Sequence, residues 1–163
     1  MTGGLDMQPL RILFISIEGN TRNFVEHLTD YAQAQHDADS AQPTIEATEI
    51  SDASDLTPET TPYFCFVPTY LNGGNGIDNG VKELMTNVLG EYIAFGNNAQ
   101  HLVGVVGSGN RNFNEQYCLT AKRYAKQFDA PFIANYELRG VPADEKRVYQ
   151  AMVARMKEVS NDD

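Results

Sequence analysis

Three short apolar runs, each followed by a turn rich in glycine, asparagine, serine or threonine, limit this chain more than any other feature. They are Leu10 to Ser16 (LRILFIS), Tyr63 to Val67 (YFCFV) and His101 to Gly107 (HLVGVVG). Such runs are too short for typical helices, and their continuous apolarity is what strands covered on both faces require. Helical spacing follows the first run, with Phe24, Leu28, Tyr31 and Ala32 in register as far as about His36. Strands that alternate with helices need parallel crossovers, so the chain is expected to be α/β with a doubly wound sheet.

The other segments fit that scheme. HDADSAQP (36–43) is a polar turn, and Thr44 to Ile50 alternates like a half-buried strand. Pro58 and Pro62 break 51–62 too often for a full helix. Asn72 to Gly80, with four glycines and three asparagines, predicts a long flexible loop. A strong helical pattern then runs through Ile77, Val81, Leu84, Met85, Val88, Leu89, Tyr92 and Ile93. A helix is expected from about Glu115 to Phe128 and a last strand from Pro131 to Leu138. A closing amphipathic helix spans Ala143 to Val159, with Val148, Met152, Met156 and Val159 on one side.

A chain of 163 residues with 42% apolar and 21% charged residues has ordinary globular chemistry and a core that needs no disulfide or metal staple. Residues 1–9 are expected to form a flexible N-terminal extension and residues 10–160 a single domain. A formal charge of −10 opposes binding to nucleic acid or to an anionic membrane surface. No signal peptide is visible, and the longest stretch without Asp, Glu, Lys or Arg, Tyr92 to Asn110, carries Asn97, Asn98, Gln100 and His101 at its middle. Cys65 and Cys118 form no metal or CxxC spacing and suit a reducing cytoplasm. His27, His36 and His101 fall on separate elements, so neither a metal site nor a nucleophile–base pair is expected. The acidic clusters at 37–39 and 52–59 read as solvated.

In a five-stranded sheet of order 2-1-3-4-5, a ligand sits beyond the carboxyl ends of the strands, where the order reverses. Three loops converge there. Ser16-Ile17-Glu18-Gly19-Asn20-Thr21 sets hydroxyls, a glycine and free N–H groups at a helix start, which suits an anion such as phosphate. The same residues also suit a plain helix N-cap. Pro68-Thr69-Tyr70-Leu71-Asn72-Gly73-Gly74 offers an aromatic ring beside glycines that let a ligand approach the backbone, and it equally suits a surface loop. Gly107-Ser108-Gly109-Asn110-Arg111-Asn112-Phe113 could hydrogen-bond the polar edge of a heterocycle, or be a decorated turn. Neither a Walker A loop nor a complete GxGxxG is present. The acidic pair and the lysine of response regulators are missing as well.

Taken together, Ser-x-x-Gly-Asn-Thr, Pro-Thr-Tyr followed by glycines, and above all GSGNRNF resemble the NrdI family over Leu10 to about Val159. Members are flavodoxin-like activating partners of class Ib-type ribonucleotide reductase. Tyr136-Glu137-Leu138-Arg139-Gly140 is similar to the family's ending. The resemblance implies a flavodoxin-like three-layer sandwich that binds one FMN. Ser16, Gly19, Asn20 and Thr21 would take its phosphate, with the backbone of Ile17 and Glu18. Thr69, Tyr70, Leu71, Asn72, Gly73 and Gly74 would contact the isoalloxazine. Ser108, Gly109, Asn110, Asn112 and Phe113 would line its other side and its pyrimidine edge. In the family, reduced flavin meets O2, and the superoxide formed serves the reductase small subunit (NrdF) in metal-site oxidation and radical generation. A flavin reductant, as yet unidentified, must supply the electrons. The alternative is a general flavodoxin carrying single electrons. One departure is Glu18, where flavodoxin-type loops generally have threonine; it is expected to point outward while backbone amides hold the anion.

Overall fold

The periodicities identified in the sequence become a sheet between two helical layers. The computed structural model describes residues 8–16, 19–51, 53–68, 70–72, 82–84, 88–109, 118–137 and 139–161. Five parallel strands form the sheet: β1 (Leu10–Phe14), β2 (Ile45–Glu49), β3 (Tyr63–Pro68), β6 (Leu102–Gly109) and β7 (Phe132–Glu137). Their order is β2-β1-β3-β6-β7, the expected 2-1-3-4-5 arrangement. The helices are α1 (Asn20–Ala38), α2 (Val88–Ala94), α3 (Leu119–Gln127) and α4 (Pro142–Asn161), with a 3-10 turn at Asn98–His101.

Period-2 alternation assigns the strand residues to two cores. Leu10, Ile12 and Phe14 of β1 join Phe64 and Phe66 of β3 beneath α1 and α4. Leu13, Ile15, Tyr63, Cys65 and Val67 face the opposite way, against α2 and α3. Every residue of β3 and β6 is buried, as strands covered on both faces must be. Met152 is fully buried and Met156 packs beside it, so both belong to the core. Pro142 opens α4 where its missing N–H costs nothing, and the Asp144 carboxylate accepts the Val141 N–H at 3.0 Å.

Three expectations change. β2 does not alternate, since Ile45 is buried but Glu46, Ala47 and Thr48 are exposed at the sheet edge. Within the helical pattern expected from Ile77, the described residues form a helix at Val88–Ala94, while Ile77, Val81 and Met85 lie outside the described residues. Lys82–Leu84 instead forms β5, antiparallel to β4 (Tyr70–Asn72), with Tyr70 opposite Leu84. Strand pairing satisfies the same backbone groups that a helix would. Third, Glu59 is not solvated; it is buried against Arg11.

Glu59 anchors a polar network at the amino ends of the strands, opposite the convergent loops. Its carboxylate accepts from Arg11 Nε at 2.5 Å and from the Tyr92 hydroxyl at 2.8 Å. The fully buried Asn98 accepts the Glu59 N–H at 2.6 Å and donates to the carbonyls of Thr57 and Tyr92 at 3.0 and 2.8 Å. Burial alone would raise the Glu59 pKa, but the Arg11 and Tyr92 hydrogen bonds and the Arg11 charge together hold it below the usual carboxylate range.

Candidate functional site

The strand register brings the carboxyl ends to one rim. Phe14 lies opposite Phe66, Pro68 opposite Ser108, and Gly109 opposite Glu137. Chain order reverses between β1 and β3, and in a doubly wound sheet a ligand crevice is expected outside the carboxyl ends at that point, beside Ser16 and the end of β6.

The first loop is the best-defined wall. The Ser16 hydroxyl accepts the N–H groups of Gly19 and Arg22 at 3.0 and 3.3 Å, closing the turn into α1. Gly19 occupies the N-cap with φ of +91°, left-handed backbone that glycine adopts without strain, and has no side chain to cap the helix. First-turn amides, those of Asn20 and Thr21 included, have no intrahelical acceptor. Thr21 is fully buried, and its hydroxyl has no hydrogen-bond partner among the described residues. A helix N-terminus with such amides and an orphaned hydroxyl among the described residues suits an anion.

Cations border that end. Arg22 is committed elsewhere: Nε and Nη2 bind both Glu49 carboxylate oxygens at 2.8 and 2.7 Å. These hydrogen bonds, with the Glu49 charge, raise the Arg22 pKa. Arg139, two residues past β7, donates from Nε to Asn20 Oδ1 at 3.3 Å. It was not among the residues expected at the site, although the carboxyl-end rule applies to the loop after β7 as much as to the other three.

The other walls are described in part. Tyr70, Leu71 and Asn72 lie in β4 rather than in an irregular loop, so the second segment rises from the rim as a two-stranded ribbon. Ser108 and Gly109 are the last residues of β6, with Ser108 buried. Ile17, Glu18, Thr69, Gly73, Gly74, Asn110, Asn112 and Phe113 fall outside the described residues, and with them the expected orientation of Glu18. Cys118 caps α3 with φ of +59°, directly beyond the third loop. His27 and His36 share α1 rather than falling on separate elements, because the helix runs on to Ala38; His36 Nδ1 contacts the Gln42 carbonyl at 2.7 Å, and His27 lies 3.9 Å from Glu145.

A family model described as NrdI flavodoxin-like matches residues 12–150. An NrdI-like protein of Streptococcus pyogenes serotype M1 is 45% identical over 161 residues, covering 96% of each chain. Protein NrdI of the same serotype is 33% identical over 103 residues, 63% of this chain and 60% of that one. Among solved structures, a short-chain flavodoxin associated with a PDU bacterial microcompartment superposes with a TM-score of 0.64 at 15% identity, covering 93% of this chain and 99% of that one.

Proposed function

The chain belongs to the NrdI flavodoxin-like family, and on that premise we propose that it is an FMN protein that activates a ribonucleotide reductase. The observation that carries the reading is the buried hydroxyl of Thr21 at the start of α1, which has no hydrogen-bond partner among the described residues. Such an orphan costs about 1–3 kcal/mol, and a phosphate oxygen at the helix end supplies its missing acceptor. Ser16, Gly19, Asn20 and Thr21 hold the phosphate, with the backbone of Ile17 and Glu18. Thr69, Tyr70, Leu71, Asn72, Gly73 and Gly74 flank one side of the ring. Ser108, Gly109, Asn110, Asn112 and Phe113 complete the other side and the polar edge.

When bound, the flavin supplies one-electron transfer to O2, giving superoxide, with its electrons drawn from a separate flavin reductant. The chain's part is to seat the phosphate, fix the ring at the rim and dock on the reductase small subunit (NrdF). There superoxide oxidises the metal site and generates the tyrosyl or modified tyrosyl radical. A cytoplasmic setting suits the buried free thiols Cys65 and Cys118. Among the described residues no helix is long and apolar enough to cross a membrane.

One observation favours a second reading, a one-electron carrier. Streptococcus pyogenes serotype M1 has both an NrdI-like protein and Protein NrdI, and this chain matches the former over nearly its whole length. Stepwise anaerobic reduction followed by air, with superoxide trapping and a binding assay against purified NrdF, separates the two. Activation predicts closely spaced reduction steps, superoxide on admitting air, and saturable NrdF binding. Two widely separated one-electron phases without NrdF binding support the carrier. A colourless protein that gains no colour with FMN rules out both.

A further inference from the structure

We propose that Arg139 is the cationic half of the phosphate site and makes this protein select phosphorylated flavin over riboflavin. The inference rests on the FMN reading above and adds a residue to it from the opposite end of the sequence.

The placement of Arg139 is built by the core. Phe24 of α1 stacks on Tyr136 of β7 with ring centroids 3.8 Å apart, which ties the first turns of α1 to the end of that strand. The chain then turns sharply: the Gly140 N–H donates to the Glu137 carbonyl at 2.8 Å, and Gly140 has φ of +73°. A Cβ on Gly140 would lie 2.5 Å from the Phe24 ring, so the turn presses directly on α1. Arg139 is thereby carried to the helix end, where Nε meets Asn20 Oδ1.

Among the described residues, the charge there is uncommitted. Guanidinium carries five N–H donors, and the contact with Asn20 uses one of them. Asp144, nearby in sequence, is occupied by the Val141 N–H and by Arg147 Nη2 at 2.9 Å. Among the described residues no carboxylate pairs with Arg139, which is exposed. Arg22, the other cation at the helix end, is neutralised by Glu49. In a chain of formal charge −10, a phosphate dianion meets an unfavourable field unless a local cation offsets it. The orphaned Thr21 hydroxyl is an independent sign that an anion belongs at this helix end.

The test is fluorescence titration of the full flavin-free chain with FMN and with riboflavin, for wild type, Arg139→Met and Arg139→Lys. Methionine keeps the length and apolar stem without the charge; lysine keeps the charge without the fork. Arg139→Met should raise the Kd for FMN about tenfold, the loss of one charge-assisted hydrogen bond, and leave the riboflavin Kd unchanged. Arg139→Lys should restore most of the difference, and added salt should weaken FMN binding less in Arg139→Met than in wild type. An unchanged FMN Kd, or equal losses for both flavins, would overturn the assignment while leaving the FMN reading intact. Failure of wild type to bind either flavin would overturn both.

Discussion

Gly107 of β6 faces Ala121 of α3 with no room for a methyl group: a Cβ built on it lies 2.6 Å from the Ala121 Cβ and 2.9 Å from the Phe132 ring. This contact sets the distance between α3 and the sheet immediately before Ser108 and Gly109. Gly107→Ala is therefore expected to cost about 1–3 kcal/mol through overpacking, read as a lower urea midpoint at unchanged m. Because the strain sits at the root of the third loop, flavin affinity should fall along with stability. A variant as stable as wild type would mean that α3 shifts freely.

Thr21→Val should move stability and binding in opposite directions. Valine matches threonine in shape and removes the orphaned hydroxyl, so the flavin-free protein should gain about 1 kcal/mol or hold its stability. FMN affinity should fall, because the phosphate loses a donor. Thermal melts with and without FMN check this. A loss of stability in the flavin-free form would show that the hydroxyl is structural.

Asn98→Ala should be among the most damaging single changes away from the candidate site. The side chain satisfies the Glu59 N–H and the Tyr92 carbonyl in a buried setting and the Thr57 carbonyl in a part-buried one. Removing it strands those groups at about 3 kcal/mol or more in total. Denaturant unfolding measures the loss, and flavin affinity in the folded fraction should stay unchanged because the network lies at the amino ends of the strands.

Acid should weaken the fold in part through Glu59. Its folded pKa lies below the unfolded value of about 4.3, so its contribution is present above that pH and fades as pH falls through the folded value. Glu59→Gln should be less stable than wild type at pH 7, by about 1–3 kcal/mol for a hydrogen-bonded buried charge. The two unfolding curves should converge as pH falls through the folded pKa of Glu59. Curves that stay parallel along the whole acid limb would remove Glu59 as a source of acid sensitivity.

The sheet and both helical layers were legible in the sequence because burial follows local period. Continuous apolarity at Tyr63 to Val67 identifies a strand covered on both faces, and Val148, Met152 and Met156 recur on one side of α4. The first loop was legible too, since glycine, hydroxyls and a helix start lie within six residues of each other. Pattern failed where two structures suit the same residues. Lys82–Leu84 falls inside a helical spacing, yet pairing with Tyr70–Asn72 claims its backbone for a strand.

By itself, then, the sequence determined which elements form, which faces they bury and which loops crowd the rim, because these follow from periodicity and turn chemistry over ten or twenty residues. Only the tertiary structure decided that Arg139 meets Asn20 across 119 positions and that Glu59 is buried on Arg11 rather than solvated. Those pairings depend on where α1 lies over the sheet, on the Phe24–Tyr136 stack that holds it there, and on how the segment before β3 folds against the amino end of β1. Such placements come from side-chain packing between distant segments, for which a linear pattern carries no period.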